Sequence, residues 1–254
     1  MILEALQYAA TRAVTPKEFR PHIRYSVNLW ARANRCAKAW AEHENNSRQF
    51  VLQSARKLKQ RRTAVVLGSG LLRDVPHEAL VAMFDTVVLV DLVHLASVQV
   101  KLRLNAKKNV RIANRDLSGF DEILAGKEAE PLDFLRRVPY LDLVVSANLL
   151  SQIGTGARHR LEREKITNAP DDLLPKLIQT HVDALAGLPC KACLVTDTSF
   201  DVIGKDGSLQ QQEDLLHGIQ ISSPTAAWEW PLAPLGEESR DYRIVHHVIA
   251  RELT

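Results

Sequence analysis

The stretch TAVVLGSGLLRDVP, residues 63–76, decides how the rest of this sequence is interpreted. It begins with TAVVL, a run typical of a buried strand, and continues into a turn that contains Gly68 and Gly70. A helix predicted after the turn would offer free backbone N–H groups to a polar or anionic ligand. Many proteins hold a nucleotide-like cofactor with a strand, a glycine turn and a helix in this order. The stretch therefore predicts a ligand-binding turn.

The composition of the 254-residue chain is that of an ordinary globular protein, with 46% hydrophobic and 25% charged residues. Three cysteines argue against a disulfide framework. No segment has the roughly 18 uncharged apolar residues of a membrane helix, and the N-terminus does not resemble a signal peptide. We therefore expect a cytoplasmic protein with no membrane partner. A net charge of +3 leaves a nucleic-acid partner open without requiring one.

Short apolar runs separated by helical patterns follow the opening stretch. Strands are predicted at 63–67, 86–90, 110–113, 141–147 and 191–198, and helices near 77–84, 94–107, 120–137 and 171–187. Continuous apolar runs suit strands that are buried on both faces, so we expect a doubly wound α/β fold with a mostly parallel sheet. Two more strands, 226–234 and 242–253, are joined too closely for a crossover helix and predict a C-terminal antiparallel hairpin, which gives seven strands in all.

Residues 1–60 have helical character and are predicted to form an N-terminal helical cap on a domain of residues 61–254. In RYSVNLWARANRCAKAW an apolar stripe at helical spacing contains Val27, Trp30, Ala31, Ala37 and Trp40. A second helix is predicted through SRQFVLQSARKLKQ, with inward positions at Phe50, Val51, Leu52 and Ala55. The basic run RKLKQRR fits the C-terminus of that helix better than it fits a nucleic-acid patch.

Two aspartates follow the second and third predicted strands. Asp91, followed by Leu92, can accept hydrogen bonds from both hydroxyls of a ribose, or it can cap the next helix. Asp116 can accept a hydrogen bond from an adenine amino group while Leu117 flanks the ring, or it can cap a helix that starts near Ser118.

The candidate cofactor site is completed by the glycine turn and by the end of the fourth strand. In open α/β sheets, ligands bind beyond the carboxyl ends of the strands, near the point where the strand order reverses. The residues expected there are Gly68, Ser69, Gly70, Ser146, Ala147 and Asn148.

Over about residues 60–254, these features resemble the class I S-adenosylmethionine-dependent methyltransferases. The resemblance implies a Rossmann-like methyltransferase domain with S-adenosylmethionine as cofactor. It places residues 68–70 at the methionine end, Asp91 at the ribose and Asp116 at the adenine. The sequence departs from the family pattern at Val66, where an acid is usual, and at Leu72, where a third glycine is usual. The acceptor is not identified, and a small molecule is favoured.

Other functions fit parts of the same pattern. VLGSGLL also resembles nicotianamine-synthase-like enzymes, which transfer the aminocarboxypropyl group of the same cofactor. A non-catalytic binding or regulatory protein with the methyltransferase fold is a further alternative. A dinucleotide fingerprint requires a small residue where Arg73 stands, and a P-loop requires Gly-Lys-Ser/Thr after the turn. The family motif for amide or adenine amino acceptors is absent, since this chain has SANL.

No catalytic residue is assigned, because methyl transfer depends more on positioning than on a general base. The segment SQIGTGARHRLEREK is predicted to be a loop, in which Gln152, Arg158 and His159 contact a substrate or simply face solvent. Asp197 and His217 are further candidates at the rim of the sheet, with structural roles preferred.

Several motifs favour structural roles over ligand binding. Cys190 and Cys193 lead into a strand, where a redox pair would open a helix, and no metal site is expected. The side chains of His246 and His247 are predicted to point to opposite faces of a strand, whereas Trp228 and Trp230 share a face.

Overall fold

The structure is a computed structural model that describes residues 2–104 and 108–253. The α-helices are α1 Ile2–Val14, α2 Ile23–Arg35, α3 Ala37–Arg56, α4 His77–Met83, α5 Ala96–Leu104, α6 Phe120–Leu124, α7 Leu150–Glu164 and α8 Leu173–Ala186. Short 3-10 helices span Lys17–His22 and Asp133–Arg137. The strands are β1 Thr63–Leu67, β2 Thr86–Asp91, β3 Val110–Asn114, β4 Leu141–Ala147, β5 Lys191–Gly204, β6 Leu209–Asp214, β7 Ala226–Ala233 and β8 Tyr242–Leu253.

The strands form one sheet in the order β3-β2-β1-β4-β5-β8-β7, with β6 paired to β5 outside this path. The pairs from β3 to β5 are parallel, whereas β8 is antiparallel to both β5 and β7. The chain builds from β1 towards β3 and then returns to place β4 on the other side of β1, so the strand order reverses there. This confirms the predicted doubly wound α/β fold with a mostly parallel sheet and a C-terminal antiparallel hairpin.

The sheet has eight strands rather than the seven predicted, because β5 is longer than expected. It continues to Gly204, and its extension pairs with β6 from Ser199 to Ile203. The hairpin turn contains Gly207 at φ +86°, a conformation that favours glycine. The alternation in SFDVI and the glycines in GKDG were the sequence signals for this hairpin.

The N-terminal helices differ from the prediction in where they break. The chain bends at Cys36, so the predicted stripe from Val27 to Trp40 is divided between α2 and α3, and Ala37 is exposed. The predicted second helix is the C-terminal part of α3, with Phe50, Val51 and Ala55 buried. These residues and Trp40 pack against strand residues in one hydrophobic cluster on one face of the sheet. The boundary between residues 60 and 61 stays a prediction.

Three other predicted elements are corrected. The helix predicted at 120–137 is only α6 and a separate 3-10 helix, because Gly126 at φ +70° ends α6 and Pro131 lies before the second helix. The N-cap of α8 is Asp172 rather than Asp171. Of the helix predicted at 94–107, α5 covers Ala96–Leu104, and residues 105–107 lie outside the described residues.

The segment predicted as a substrate loop is the helix α7, which contains both Gly154 and Gly156. It packs with α8 on the face of the sheet opposite α3, where Ile153, Ala157, Leu177 and Ile178 share a second hydrophobic cluster. None of the helices seen in residues 2–104 and 108–253 combines the length and apolar character that crossing a bilayer demands.

Candidate functional site

Helices α2 and α7 approach each other near the carboxyl ends of the parallel strands, and this region is called the cleft below. The ring of Tyr25 on α2 meets that of His159 on α7, with 6.2 Å between ring centroids. His22 lies within electrostatic range of Asp91, Asp116 and Arg163, and its pKa is lowered mainly by burial. These contacts place both candidate cofactor aspartates, Asp91 and Asp116, near the cleft.

The glycine turn packs directly against the end of β4. Gly68 has φ +74°, and a Cβ added there would lie 2.7 Å from the carbonyl oxygen of Ala147 and 3.0 Å from Cβ of Leu149. A Cβ on Gly70 would lie 3.2 Å from Oδ2 of Asp91. Gly68 is therefore required by both its conformation and its close approach to another backbone segment.

The backbone N–H groups of the turn are used inside the protein. Those of Gly68 and Ser69 donate to the carbonyl oxygen of Val90, at 2.9 and 3.3 Å, and that of Gly70 donates to Oδ2 of Asp91 at 2.8 Å. The Ser69 hydroxyl lies 2.8 Å from Nε2 of buried His94. Because α4 begins only at His77, no helix N-terminus adjoins the glycines, contrary to the sequence prediction. The turn therefore does not present the N–H cradle that a pyrophosphate needs.

The two unusual residues after the turn have clear structural roles. Leu72, where the resembled family has its third glycine, adopts φ +58° while its side chain is buried. Arg73 donates from Nε to Oε1 of Glu44 on α3 at 2.5 Å, and Arg48 donates to the Arg73 carbonyl oxygen. The loop of residues 71–76 is thereby tied to α3.

Asp91 holds the end of β2 beside the turn. Its Oδ2 accepts the Gly70 N–H, whereas its Oδ1 is 3.4 Å from the Val93 nitrogen and is only weakly engaged. Burial raises the pKa of this carboxyl, and its backbone hydrogen bonds oppose the rise. The next residue, Leu92, is partly exposed, and its carbonyl oxygen accepts from Nδ2 of Asn114. Asp91 thus keeps acceptor capacity for a ligand hydroxyl.

Asp116 shapes the chain after β3. Its Oδ1 accepts from the Ser118 N–H at 2.8 Å and from the Ser118 hydroxyl at 2.6 Å, so it organises the turn before α6. The side chain is exposed, and its Oδ2 makes no hydrogen bond to any residue within 2–104 or 108–253. Leu117 is buried beside it.

The three residues predicted at the end of β4 have separate roles. The buried Ser146 hydroxyl lies 3.1 Å from Nε2 of His181 on α8, so it faces a helix rather than the cleft. Ala147 provides the carbonyl oxygen behind Gly68. Asn148, at φ +47°, donates from Nδ2 to Oδ2 of Asp74.

The substrate candidates lie on different faces of α7. Gln152 and His159 are seven residues apart and so share the face that meets Tyr25. Arg158 turns away and pairs with Glu213 of β6 at 3.0 Å.

Two buried groups of interacting side chains near the carboxyl edge of the sheet were not predicted. Asp197, where the parallel part of β5 ends, accepts from the Ser151 hydroxyl and pairs with Nδ1 of His246 at 2.5 Å. Burial raises the pKa of Asp197, but the bonds from His246 and Ser151 outweigh it and the pKa is lowered. No group in the described part of the chain bonds Nε2 of His246. Only the register of β5 with β8 brings this pair together, and short-range sequence patterns do not reveal that register.

The other unpredicted group involves α3. His43 stacks on Trp230, with 4.1 Å between ring centroids, and its Nδ1 accepts the Trp228 indole N–H at 3.0 Å. Trp228 and Trp230 therefore both contact His43. His247 pairs with Asp201, whereas its neighbour His246 pairs with Asp197.

The remaining motifs lie away from the cleft. Cys190 and Cys193 are not joined by a disulfide, and burial raises the pKa of each thiol to about 11. The residues in 2–104 and 108–253 contain no cluster suited to a metal ion. His217 packs against Gly154. A groove of about 540 Å³ lies between α8 and the segment after α6, and none of the predicted cofactor residues lines it.

No family model matches the chain, and no curated protein matches it. Among solved structures, it is similar to a DhpI-SAM-HEP complex, with 16% identity, coverage of 88% of this chain and 94% of that chain, and a TM-score of 0.39. It is also similar to N-methyltransferase NodS from Bradyrhizobium japonicum with S-adenosyl-L-homocysteine, at 12% identity, 83% and 86% coverage and a TM-score of 0.41. For YcgJ from Bacillus subtilis the identity is 9%, the match covers 82% of this chain and 97% of that chain, and the TM-score is 0.46. The likeness concerns the overall arrangement of the chain.

Proposed function

We propose that this protein binds S-adenosylmethionine at the carboxyl edge of its sheet and transfers the methyl group to a small acceptor. The observation that carries the proposal is the arrangement at Asp91. One carboxylate oxygen accepts the Gly70 N–H, and the other has only a long contact with the Val93 N–H, so it keeps acceptor capacity for a ligand. A carboxylate at the tip of the second strand suits the hydroxyls of a ribose.

The residues present fit an adenosine cofactor. Gly68 and Gly70 keep side chains out of the space between the ends of β1, β2 and β4. Asp91 would hold the ribose, and Asp116 would receive the adenine amino group with its free Oδ2 beside Leu117. A dinucleotide fits less well, because the turn has already used the N–H groups that would bind its pyrophosphate.

When bound, S-adenosylmethionine supplies an electrophilic methyl group. We propose His246 as the residue that accepts a proton from the acceptor. Its Nδ1 is held by Asp197, which orients the ring and leaves Nε2 as the basic nitrogen. Ser151 fixes the second oxygen of that carboxylate. The ring contact between Tyr25 and His159 joins α2 to α7 near the candidate aspartates, which favours a small acceptor.

We also propose that the protein acts in the cytoplasm. No disulfide links Cys36, Cys190 and Cys193, the three cysteines of the chain, which fits a reducing compartment.

Product analysis tests the reaction. The purified protein would be incubated with S-adenosylmethionine and fractions of small molecules. Methyl transfer yields S-adenosylhomocysteine, whereas aminocarboxypropyl transfer yields methylthioadenosine. We expect S-adenosylhomocysteine, formed more slowly by His246→Gln at unchanged cofactor affinity. Methylthioadenosine as the product would establish the alternative chemistry, and cofactor binding with no product would point to a non-catalytic protein.

A further inference from the structure

Asp74 and Asn148 form a polar pair between the glycine turn and the end of β4. Asn148 donates from Nδ2 to Oδ2 of Asp74. Its own Oδ1 is buried and has no hydrogen-bond partner, although Asn148 is only 7% exposed. A buried acceptor without a donor is costly, so its presence beside a carboxylate calls for a donor supplied from outside the chain.

Asp74 makes no direct salt bridge with any residue within 2–104 or 108–253, and Arg48 acts on its charge only at longer range. Arg73 pairs with Glu44, and Arg48 lies between Glu44 and the Arg73 carbonyl oxygen. Burial raises the pKa of the Asp74 carboxyl, whereas the Asn148 hydrogen bond opposes the rise. The side chain is still partly accessible, so a ligand can reach it.

His43 links the orientation of the Asn148 amide to the charge of Asp74. Trp228 donates to Nδ1 of His43, so the neutral ring carries its proton on Nε2, 3.3 Å from the Asn148 amide nitrogen. Burial lowers the pKa of His43 to about 4, so the ring adds no positive charge at neutral pH. An ionised Asp74 holds Nδ2 towards itself and leaves Oδ1 unpaired. A protonated Asp74 would let the amide turn and give its oxygen to the His43 N–H. The unpaired acceptor therefore belongs to the ionised state, which a cation stabilises.

We propose that Asp74 and Asn148 form an ammonium-binding subsite, which provides a carboxylate and an amide oxygen for a primary ammonium group. The group bound there is the α-ammonium of S-adenosylmethionine, an assignment that rests on the proposed function. Asp74 then provides the negative charge that the chain lacks at Val66.

The position of the pair agrees with the order of the strands. Asp116, Asp91 and the turn follow β3, β2 and β1, and Asp74 and Asn148 lie at the junction of β1 with β4. An adenosine laid from Asp116 to Asp91 directs its 5′ substituent towards this junction. The His246–Asp197 pair follows at β5, on the acceptor side.

Calorimetric titration of wild-type protein and Asp74→Asn at about pH 8 tests the subsite, because a high pH favours the ionised carboxyl. The ligands are S-adenosylhomocysteine and 5′-S-(3-carboxypropyl)-5′-thioadenosine, which lacks only the α-ammonium. We expect the wild type to prefer S-adenosylhomocysteine by about 10- to 100-fold, as expected for a charge-assisted hydrogen bond. Asp74→Asn should lose this preference and bind the deaminated ligand as the wild type does.

Two further variants keep the result interpretable. Asp85→Asn removes an exposed carboxylate just before β2, at the other end of the sheet, and should keep the full preference. Asn148→Gly removes the amide, and glycine tolerates φ +47°. This variant should reduce the preference for S-adenosylhomocysteine, and it tests the subsite independently if Asp74→Asn does not fold.

The outcomes separate the two proposals. The ammonium subsite is overturned if the wild type binds both ligands equally well. It is also overturned if Asp74→Asn keeps the preference or binds both ligands more weakly by the same factor. Each of these results leaves the adenosine site standing. Wild type that binds neither ligand overturns the proposed function, and the subsite with it.

Discussion

At the scale of single residues, the candidate site depends on side chains whose backbone positions are unusually constrained. Gly68, Leu72 and Asn148 all have positive φ, and they lie around the junction of β1 with β4. Such conformations cost free energy in residues other than glycine and persist only where the surrounding packing fixes them. Asp91 adds the carboxylate proposed to bind the ribose, and the same turn holds it in place.

Asp91 is expected to provide a large part of the cofactor affinity. Asp91→Asn keeps the shape of the side chain but removes the charge that receives the ribose hydroxyls. We predict about 10- to 100-fold weaker binding of S-adenosylhomocysteine by calorimetry. Affinity equal to that of the Asp85→Asn control would refute the assigned role of Asp91.

The left-handed conformation of Leu72 gives a stability prediction. Leu72→Ala and Leu72→Gly both lose the buried isopropyl group, and glycine also loses Cβ, but only glycine relieves the strain at φ +58°. We predict a free energy of unfolding about 0.5–1 kcal/mol higher for Leu72→Gly than for Leu72→Ala, measured in urea. At buried Leu80 in α4, the same two substitutions should rank in the opposite order, since glycine is unfavourable within a helix. The same ranking at both positions would contradict the prediction.

At the scale of elements, the sequence predicted strands better than it predicted helices and connections. β1 and β4 have the predicted bounds, because β1 is buried along its whole length and β4 is buried from Leu143 to Ala147. α7 was mistaken for a loop because Gly154 and Gly156 are usually turn residues, yet at Gly154 the absence of a side chain makes room for His217. The position of Asp91 at the end of β2 could be predicted, because it depends on only one residue and one strand. The pairing of Asp197 with His246 could not be, because it depends on long-range register.

The ion pair between α3 and the loop after the turn is expected to stabilise the site. Glu44→Gln leaves Arg73 without its charged partner in a partly buried setting, and we predict a loss of about 1–3 kcal/mol in the free energy of unfolding. A double-mutant cycle with Arg73→Gln should show coupling of about 1 kcal/mol or more. Asp133→Asn, in an exposed pair with Arg137, should change stability by less than about 0.5 kcal/mol. Equal effects at the two pairs would contradict this role.

At the scale of the whole molecule, the two faces of the sheet are covered by different helices, and buried histidines occur on both. His43 lies on α3. The ring of His181 on α8 contacts the Ser146 hydroxyl, and the ring of His94 contacts the Ser69 hydroxyl. Each is kept neutral by burial, which lowers its pKa to about 4. Protonation of any of them opposes the folded state.

Stability should therefore depend on pH between about 6.5 and 4. The unfolded chain binds protons at these histidines below about pH 6.5, whereas the folded protein does not until about pH 4. The stabilisation is fully present above that window and is lost as the pH falls, by up to about 1.4 kcal/mol per pH unit for each histidine. Urea unfolding at a series of pH values measures this slope. A free energy of unfolding that stays constant from about pH 7 to 5 would contradict the assignment.

The central claim is that the carboxyl edge of the sheet binds S-adenosylmethionine and not a dinucleotide. Calorimetric titration of the folded wild-type protein with S-adenosylhomocysteine, and separately with NAD⁺, tests it most directly. The arrangement of Gly70 and Asp91 predicts saturable binding of S-adenosylhomocysteine and no heat of binding with NAD⁺. Folded protein that gives no heat with S-adenosylhomocysteine, or that binds NAD⁺ in its place, would contradict the account.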